Sequence, residues 1–112
     1  MKKIEELKNY DFHDSLLESV IYEKEKNCVV LGIDFCNWRQ VWYDENEDET
    51  LLISLIFKDV HNVIIPEITL HSDDIISVEV FGRNAVKIVC FNDIKNVVYE
   101  ITFNSDSVEI KP

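Results

Sequence analysis

Apolar and polar positions alternate with a period of two through most of this chain. Val29, Leu31, Ile33 and Phe35 alternate with Val30, Gly32 and Asp34, and Leu51, Ile53, Leu55 and Phe57 repeat the pattern with Ser54 and Lys58 on the other face. Val97, Tyr99, Ile101 and Phe103 do so again, opposite Glu100, Thr102 and Asn104. Successive side chains of a strand point to opposite faces, so each run predicts a strand with one buried face. Ile76, Val78 and Val80 predict another strand, Val86, Ile88 and Cys90 one more, and Val108 with Ile110 a last one. Ser15–Tyr22 is less regular: Leu16, Val20 and Tyr22 share one face, Leu17 and Ile21 the other, as in a central strand covered on both sides. Near the start, Ile4 and Leu7 stand three apart among charges. Lys2–Lys8 therefore predicts about two turns of amphipathic helix, too short to hold without packing against the rest.

The breaks between runs are short. Glu23–Asn27 has the polar composition of a hairpin loop, Gly82–Asn84 and Asn92–Asn96 are rich in turn formers, and Ser105-Asp106 predicts a tight reversal. Such connections join antiparallel neighbours, whereas a parallel crossover needs roughly a dozen residues or more. The chain reads as two antiparallel meanders, 15–58 and 75–111, joined by 59–74, where Pro66 keeps the middle out of any central strand. Most strands carry one apolar face that needs cover, so a mainly β sandwich or flattened barrel with a short N-terminal helix is expected. Composition agrees. Of 112 residues, 14 are Ile and 13 are Val against a single alanine, Ala85, and β-branched side chains suit pleated sheets better than helices. A chain of this length has room for one domain, spanning 1–112.

Charge narrows the function classes. Twenty-two acids against eleven bases give a formal net charge of -11, with an isoelectric point near 4.5. Such a surface repels phosphate backbones and anionic lipid, so neither nucleic acid nor a membrane is an expected partner. A basic protein or a divalent cation is the partner it attracts, unless the charge serves solubility alone. Cys28, Cys36 and Cys90 are odd in number and lie in or at the end of apolar runs, as buried thiols of a reducing compartment do. The charged start Met1–Leu7 lacks the apolar stretch of a signal peptide. No run approaches the ~20 apolar residues that span a bilayer. A cytoplasmic protein is expected.

Three constellations carry candidate chemistry. The first is Tyr10-Asp11-Phe12-His13-Asp14-Ser15. Its His-Asp pair suggests a metal phosphohydrolase, but that chemistry sits in an all-helical frame absent from this pattern. The structural alternative has Asp14 or Ser15 bonding its own backbone to shape the turn while Phe12 packs into the core. The second is His71-Ser72-Asp73-Asp74 with His61 ten residues earlier; with His13 and Asp14 these imidazoles and carboxylates suit a divalent ion or small molecule if they converge. Their spacing matches no closed zinc or calcium pattern, and adjacent His-Ser-Asp does not make a triad. A solvated loop is the alternative.

The third, Asn37–Tyr43 running into Asp44–Glu49, is the richest. If the second strand continues past Cys36, Trp38 and Trp42 share one face and Arg39, Val41 and Tyr43 the other. Both tryptophans and Tyr43 then stand beside Asp44, Glu45, Glu47, Asp48 and Glu49. Trp, Tyr and Arg are the types enriched at interface hot spots, and an acidic rim steers a basic partner. The alternative is a long hairpin whose aromatics cap the core. The acids alone are an alternative weak cation site, although runs of like charge usually repel and extend.

Phe12-His13-Asp14-Ser15-Leu16-Leu17, followed by a polar hairpin and Val29-Val30-Leu31-Gly32-Ile33-Asp34, and then Leu55-Ile56-Phe57-Lys58-Asp59-Val60, resembles small bacterial single-domain proteins of about this length. Some proteins of that type are immunity proteins that neutralise a cognate toxin in polymorphic toxin systems. The resemblance covers residues 10–60. It implies an antiparallel β-rich fold and binding rather than catalysis, and it transfers no catalytic residue.

The leading expectation is thus a non-enzymatic protein-binding module without cofactor. Trp38, Arg39, Trp42 and Tyr43 would form its contact surface, and Asp44, Glu45, Glu47, Asp48 and Glu49 would draw in a basic protein. The rival is a metal or small-molecule site near His13 and His71, and a third reading is a homodimer joined through an exposed sheet edge.

Overall fold

The computed structural model describes residues 1–112. Nine strands form one antiparallel sheet: β1 (Lys2–Lys3), β2 (Leu16–Glu23), β3 (Cys28–Cys36), β4 (Thr50–Phe57), β5 (His61–Ile64), β6 (Asp73–Phe81), β7 (Ala85–Asn92), β8 (Val97–Asn104) and β9 (Ser107–Lys111). Across the sheet their order is β1-β9-β4-β3-β2-β6-β7-β8-β5. The mainly β, antiparallel reading therefore holds. The two expected meanders are β2-β3-β4 and β6-β7-β8.

These two halves meet at a narrow seam. Only Leu16 opposite Asp74 and Leu17 opposite Asp73 join β2 to β6. Beyond that seam the sheet folds over. Phe57 on β4 and Phe103 on β8 stand five strand spacings apart in sheet order, about 24 Å if the sheet were flat. Their ring centroids are 4.7 Å apart in an edge-to-face contact. The inner faces of the halves thus pack on each other and share one core, with Leu31, Ile33 and Leu55 on one side and Ile75, Ile88 and Ile101 on the other.

Four details differ from the sequence expectation. Ile4–Asn9 forms a 3-10 helix rather than an α-helix. With three residues per turn, Ile4 and Leu7 lie one above the other, and both are buried into the core. β2 is not covered on both sides: Leu17 is sealed, while Ile21 and Tyr22 are exposed. Its pairing with β3 slips between Leu17 and Ser19, so Glu18 is a bulge residue that resets the alternation and accounts for the irregular pattern. β9 does not turn back along β8 but crosses to pair with β4 and β1. Ser105 fixes that crossing, its buried hydroxyl donating towards the carbonyls of Lys58 (2.9 Å) and Ser107 (3.0 Å). Finally, the connecting segment holds a short strand, β5, which ends two residues before Pro66. In sheet order the outermost strands are this four-residue β5 and the two-lysine β1.

No helix is long and apolar enough to cross a membrane. The facing of the halves through Phe57 and Phe103 carries a measurable consequence: Phe103→Ala is expected to cost about 3–5 kcal/mol in urea unfolding. A loss below about 1 kcal/mol, the level of a surface change, contradicts the folded-over sheet.

Candidate partner-binding surface

β3 stops at Cys36, and the chain enters a 3-10 turn at Asn37–Arg39 rather than running on as a strand. This corrects the expected split that placed Trp38 and Trp42 on one face and Arg39, Val41 and Tyr43 on the other. The cause lies in three hydrogen bonds that a continuing strand does not make. Buried Asn37 donates from Nδ2 to the Asp48 carbonyl (2.9 Å). The Trp38 N–H donates to Glu49 O (3.1 Å), and the Gln40 N–H donates back to Asn37 O (3.0 Å).

The loop 37–49 is locked onto the loop 10–15, so the first and third constellations become one. Gln40 is buried and makes the join: its Nε2 donates to the carbonyls of Asp11 (2.6 Å) and Cys36 (2.9 Å), and its Oε1 accepts from the Asp11 N–H (2.9 Å). The Ser15 hydroxyl, fully buried, accepts from the Cys36 N–H (2.9 Å), and the Cys36 thiol donates to Asp14 O (3.2 Å). The turn itself is shaped by Asp11, whose Oδ1 accepts from the His13 N–H (3.0 Å). The side chains of Asp14 and Ser15 instead reach across to the other loop, while Phe12 does pack into the core, as expected.

Four aromatic rings continue the join. Phe12 meets Phe35 edge-on with centroids 5.4 Å apart, Tyr10 contacts both, and Trp42 stands edge-on against Tyr10 at 5.3 Å. Trp42 is thereby fixed on one side yet 45% exposed; Trp38 is 47% exposed and Val41, between them in sequence, 98%. The two indoles are therefore neither sealed in the core nor loose. Arg39 is occupied locally: its Nε lies 3.1 Å from Asp11 Oδ2 and its Nη1 3.2 Å from Asp14 Oδ2, with the guanidinium 5.5 Å from the Trp38 ring centroid. Half-exposed pairs of this kind add little stability, about 1 kcal/mol or less each, but they orient the indole beneath. Arg39 thus serves as a positioning group matched by two carboxylates rather than as a free cation.

The acidic rim is ordered. The Glu47 N–H donates to Asp44 O (2.8 Å) and the Asn46 N–H to Asp44 Oδ1 (2.9 Å), closing a tight turn. Asp44, Glu45, Glu47, Asp48 and Glu49 are all exposed. Loss of water around the half-buried Tyr43 ring, followed by the negative charges of Glu49, Glu47, Asp44 and Glu45, holds its phenol above the usual range. The exposed indoles are therefore followed by a cluster of exposed carboxylates, and Arg39, the cation beside Trp38, is matched by Asp11 and Asp14.

The second constellation does not join this surface as a ligand set. His13 does, with Nδ1 3.0 Å from the Ile76 carbonyl and Nε2 3.5 Å from Asp14 Oδ1. His61 is exposed on edge strand β5, and His71 and Asp74 are exposed elsewhere. Asp73 turns inward, where its carboxylate accepts from Tyr99 OH (2.6 Å), Asn92 Nδ2 (3.0 Å) and the His71 N–H (3.2 Å). No three His, Cys, Asp or Glu side chains gather so as to hold a metal ion. The three cysteines are free and buried, as expected.

Gln40 is the residue that sequence reasoning left without a role. Nothing in a polar residue between two tryptophans signals that it bridges loops 29 positions apart. Val41 gives no signal either, since its neighbours suggest a strand. Comparison with protein-family models, with curated proteins and with solved structures finds no match to this chain.

Two outcomes test this geometry. Gln40→Leu leaves the Asp11 N–H and two carbonyls without partners, so it is expected to cost about 1–3 kcal/mol. Because both tryptophans lie in the patch, their acrylamide quenching should rise in the same variant; unchanged quenching and stability contradict the lock. The second outcome concerns Cys90, beside Tyr99. Burial pushes its thiol from an ordinary 9.0 up to about 12, and burial with the Asp73 hydrogen bond raises Tyr99 in the same direction. A folded value above the unfolded one means the stability is intact below about pH 9 and lost as pH rises towards 12. Urea unfolding across that window should show the decline, and Cys90→Ala should make it shallower by the thiol's share while the Tyr99 share remains; parallel profiles contradict the assignment.

Proposed function

We propose that the chain is a non-enzymatic protein-binding module that engages a basic protein through Trp38, Val41 and Trp42, with Asp44, Glu45, Glu47, Asp48 and Glu49 as its steering rim. One observation carries this reading: two half-exposed indoles and a fully exposed valine stand on a hydrogen-bonded frame instead of being folded away. Large apolar groups presented together mark interaction sites, and rigid aromatic anchors lose little conformational freedom on binding. Tyr43 contributes at the rim, and Arg39 acts by orienting Trp38. The net charge of -11 and the ordered acidic turn favour a cationic partner. Residues 10–60 resemble small bacterial single-domain proteins of which some are immunity proteins, and that resemblance agrees with a protein that silences a toxin by covering it.

Purification of a bound partner, followed by binary measurement with that protein, tests the proposal. Trp38→Ala with Trp42→Ala is expected to weaken binding about a hundredfold or more, as loss of two hot-spot anchors does. The association rate is expected to fall about tenfold or more between low and high salt, while dissociation changes less. Binding that survives the double substitution unchanged removes the proposal.

A further inference from the structure

The narrow seam has a second product, remote in sequence from the tryptophans. β2 runs on to Glu23 after its two pairs with β6, but β6 begins at Asp73, so no strand lies beside Val20 and Tyr22 on that side. Residues 65–72 cross the gap as a strap without strand structure, and none of the backbone–backbone hydrogen bonds formed outside the helices and strands, in turns and loops, involves them. Three bonds through side chains hold the strap down: Asn92 Nδ2 to Thr69 O (3.1 Å), the His71 N–H to Asp73 Oδ1 (3.2 Å) and Ser72 Oγ to Glu18 Oε2 (3.0 Å). All three lie towards the strap's carboxyl end, leaving Ile65 to Ile68 without an anchoring bond.

Beneath the strap is a cavity of about 320 Å³, walled by Val20 and Tyr22 of β2, Tyr99 and Ile101 of β8, and strap residues including Ile68 and Leu70. The pocket is half open to solvent; an enclosed void in a packed core is rarely larger than one water. This one matches the volume of about ten waters at ~30 Å³ each and reaches the lower end of the range for small-molecule sites. No Asp, Glu, Lys or Arg side chain lines it. A charged ligand would lose its hydration there without gaining a partner. The Tyr99 hydroxyl proton is already given to Asp73, so any polar recognition would use what remains of the two phenols.

We infer that this cavity is a binding site for a small uncharged apolar molecule, of single- or double-ring size or a short alkyl chain, with the 65–72 strap as its movable cover. It shares no residue with the tryptophan surface. Occupancy replaces water with dispersion contacts on the apolar walls, and the strap moves aside by yielding apolar packing and at most three hydrogen bonds, without breaking the sheet.

N-phenyl-1-naphthylamine, neutral and fluorescent only in apolar surroundings, is the probe. Titration into the full chain is expected to give a saturable, one-to-one rise in emission. Amide NMR shifts should cluster at 65–72, Val20, Tyr22, Tyr99 and Ile101. Leu70→Trp, which fills the cavity, should weaken binding at least tenfold, while Trp38→Ala with Trp42→Ala leaves it unchanged. The shift map on the unaltered chain decides the matter if the filled variant does not fold. Absence of saturation, shifts centred on Trp38 and Trp42, or full binding by a folded Leu70→Trp chain each overturn the inference.

Discussion

Two residue pairs between β2 and β6 govern the rest of the molecule. A sheet joined so narrowly can fold over, which brings Phe57 onto Phe103 and closes a core from two faces that would each be half-covered alone. It also leaves backbone groups on both sides of the seam to be satisfied by other means. On one side the loop 10–15 continues the ladder: the Asp14 N–H donates to Ile75 O (3.2 Å), the Ile75 N–H to Ser15 O (2.8 Å), and His13 Nδ1 meets Ile76 O. On the other side the strap 65–72 crosses with no ladder at all. The first solution yields a rigid loop and the second a cavity with a loosely tied cover.

Rigidity of the loop 10–15 is what gives the tryptophan surface its form. Gln40, Ser15 and Cys36 bind the two loops with buried hydrogen bonds, and Tyr10 supports Trp42 from below. Buried polar groups that are all satisfied specify one arrangement, because any slip leaves donors unpaired at a cost of several kcal/mol in sum. No buried side-chain polar atom in this protein lacks a partner. An exposed aromatic patch held this way is preorganised, and its acidic flank adds long-range attraction without entering the lock.

Much of the fold was legible because strands with one wet face leave a period-two trace. The runs at 29–35, 51–57, 97–103 and 108–110 lie within β3, β4, β8 and β9. What escaped had no such trace. β5 is four residues long, the bulge at Glu18 broke the alternation of β2, and the crossing of β9 depends on a buried serine rather than on any periodic pattern. The site divides in the same way. Composition marked Trp38, Trp42 and the acids, whereas the turn at Asn37 and the bridging by Gln40 are set by bonds between distant residues. Arg39 looked like a contact residue because arginine often is one; here Asp11 and Asp14 claim it.

Amide hydrogen exchange on the free chain tests most directly whether the surface is built before any partner arrives. Preorganisation predicts that the N–H groups of Asp11, Cys36, Trp38 and Ile75 exchange at least about a hundredfold more slowly than unstructured amides, in step with one another, as parts of a single cooperative unit do. Exchange of Asp11 and Trp38 at the unstructured rate, with Ile75 still protected, would mean the loops are free in solution and the indoles stand on no frame.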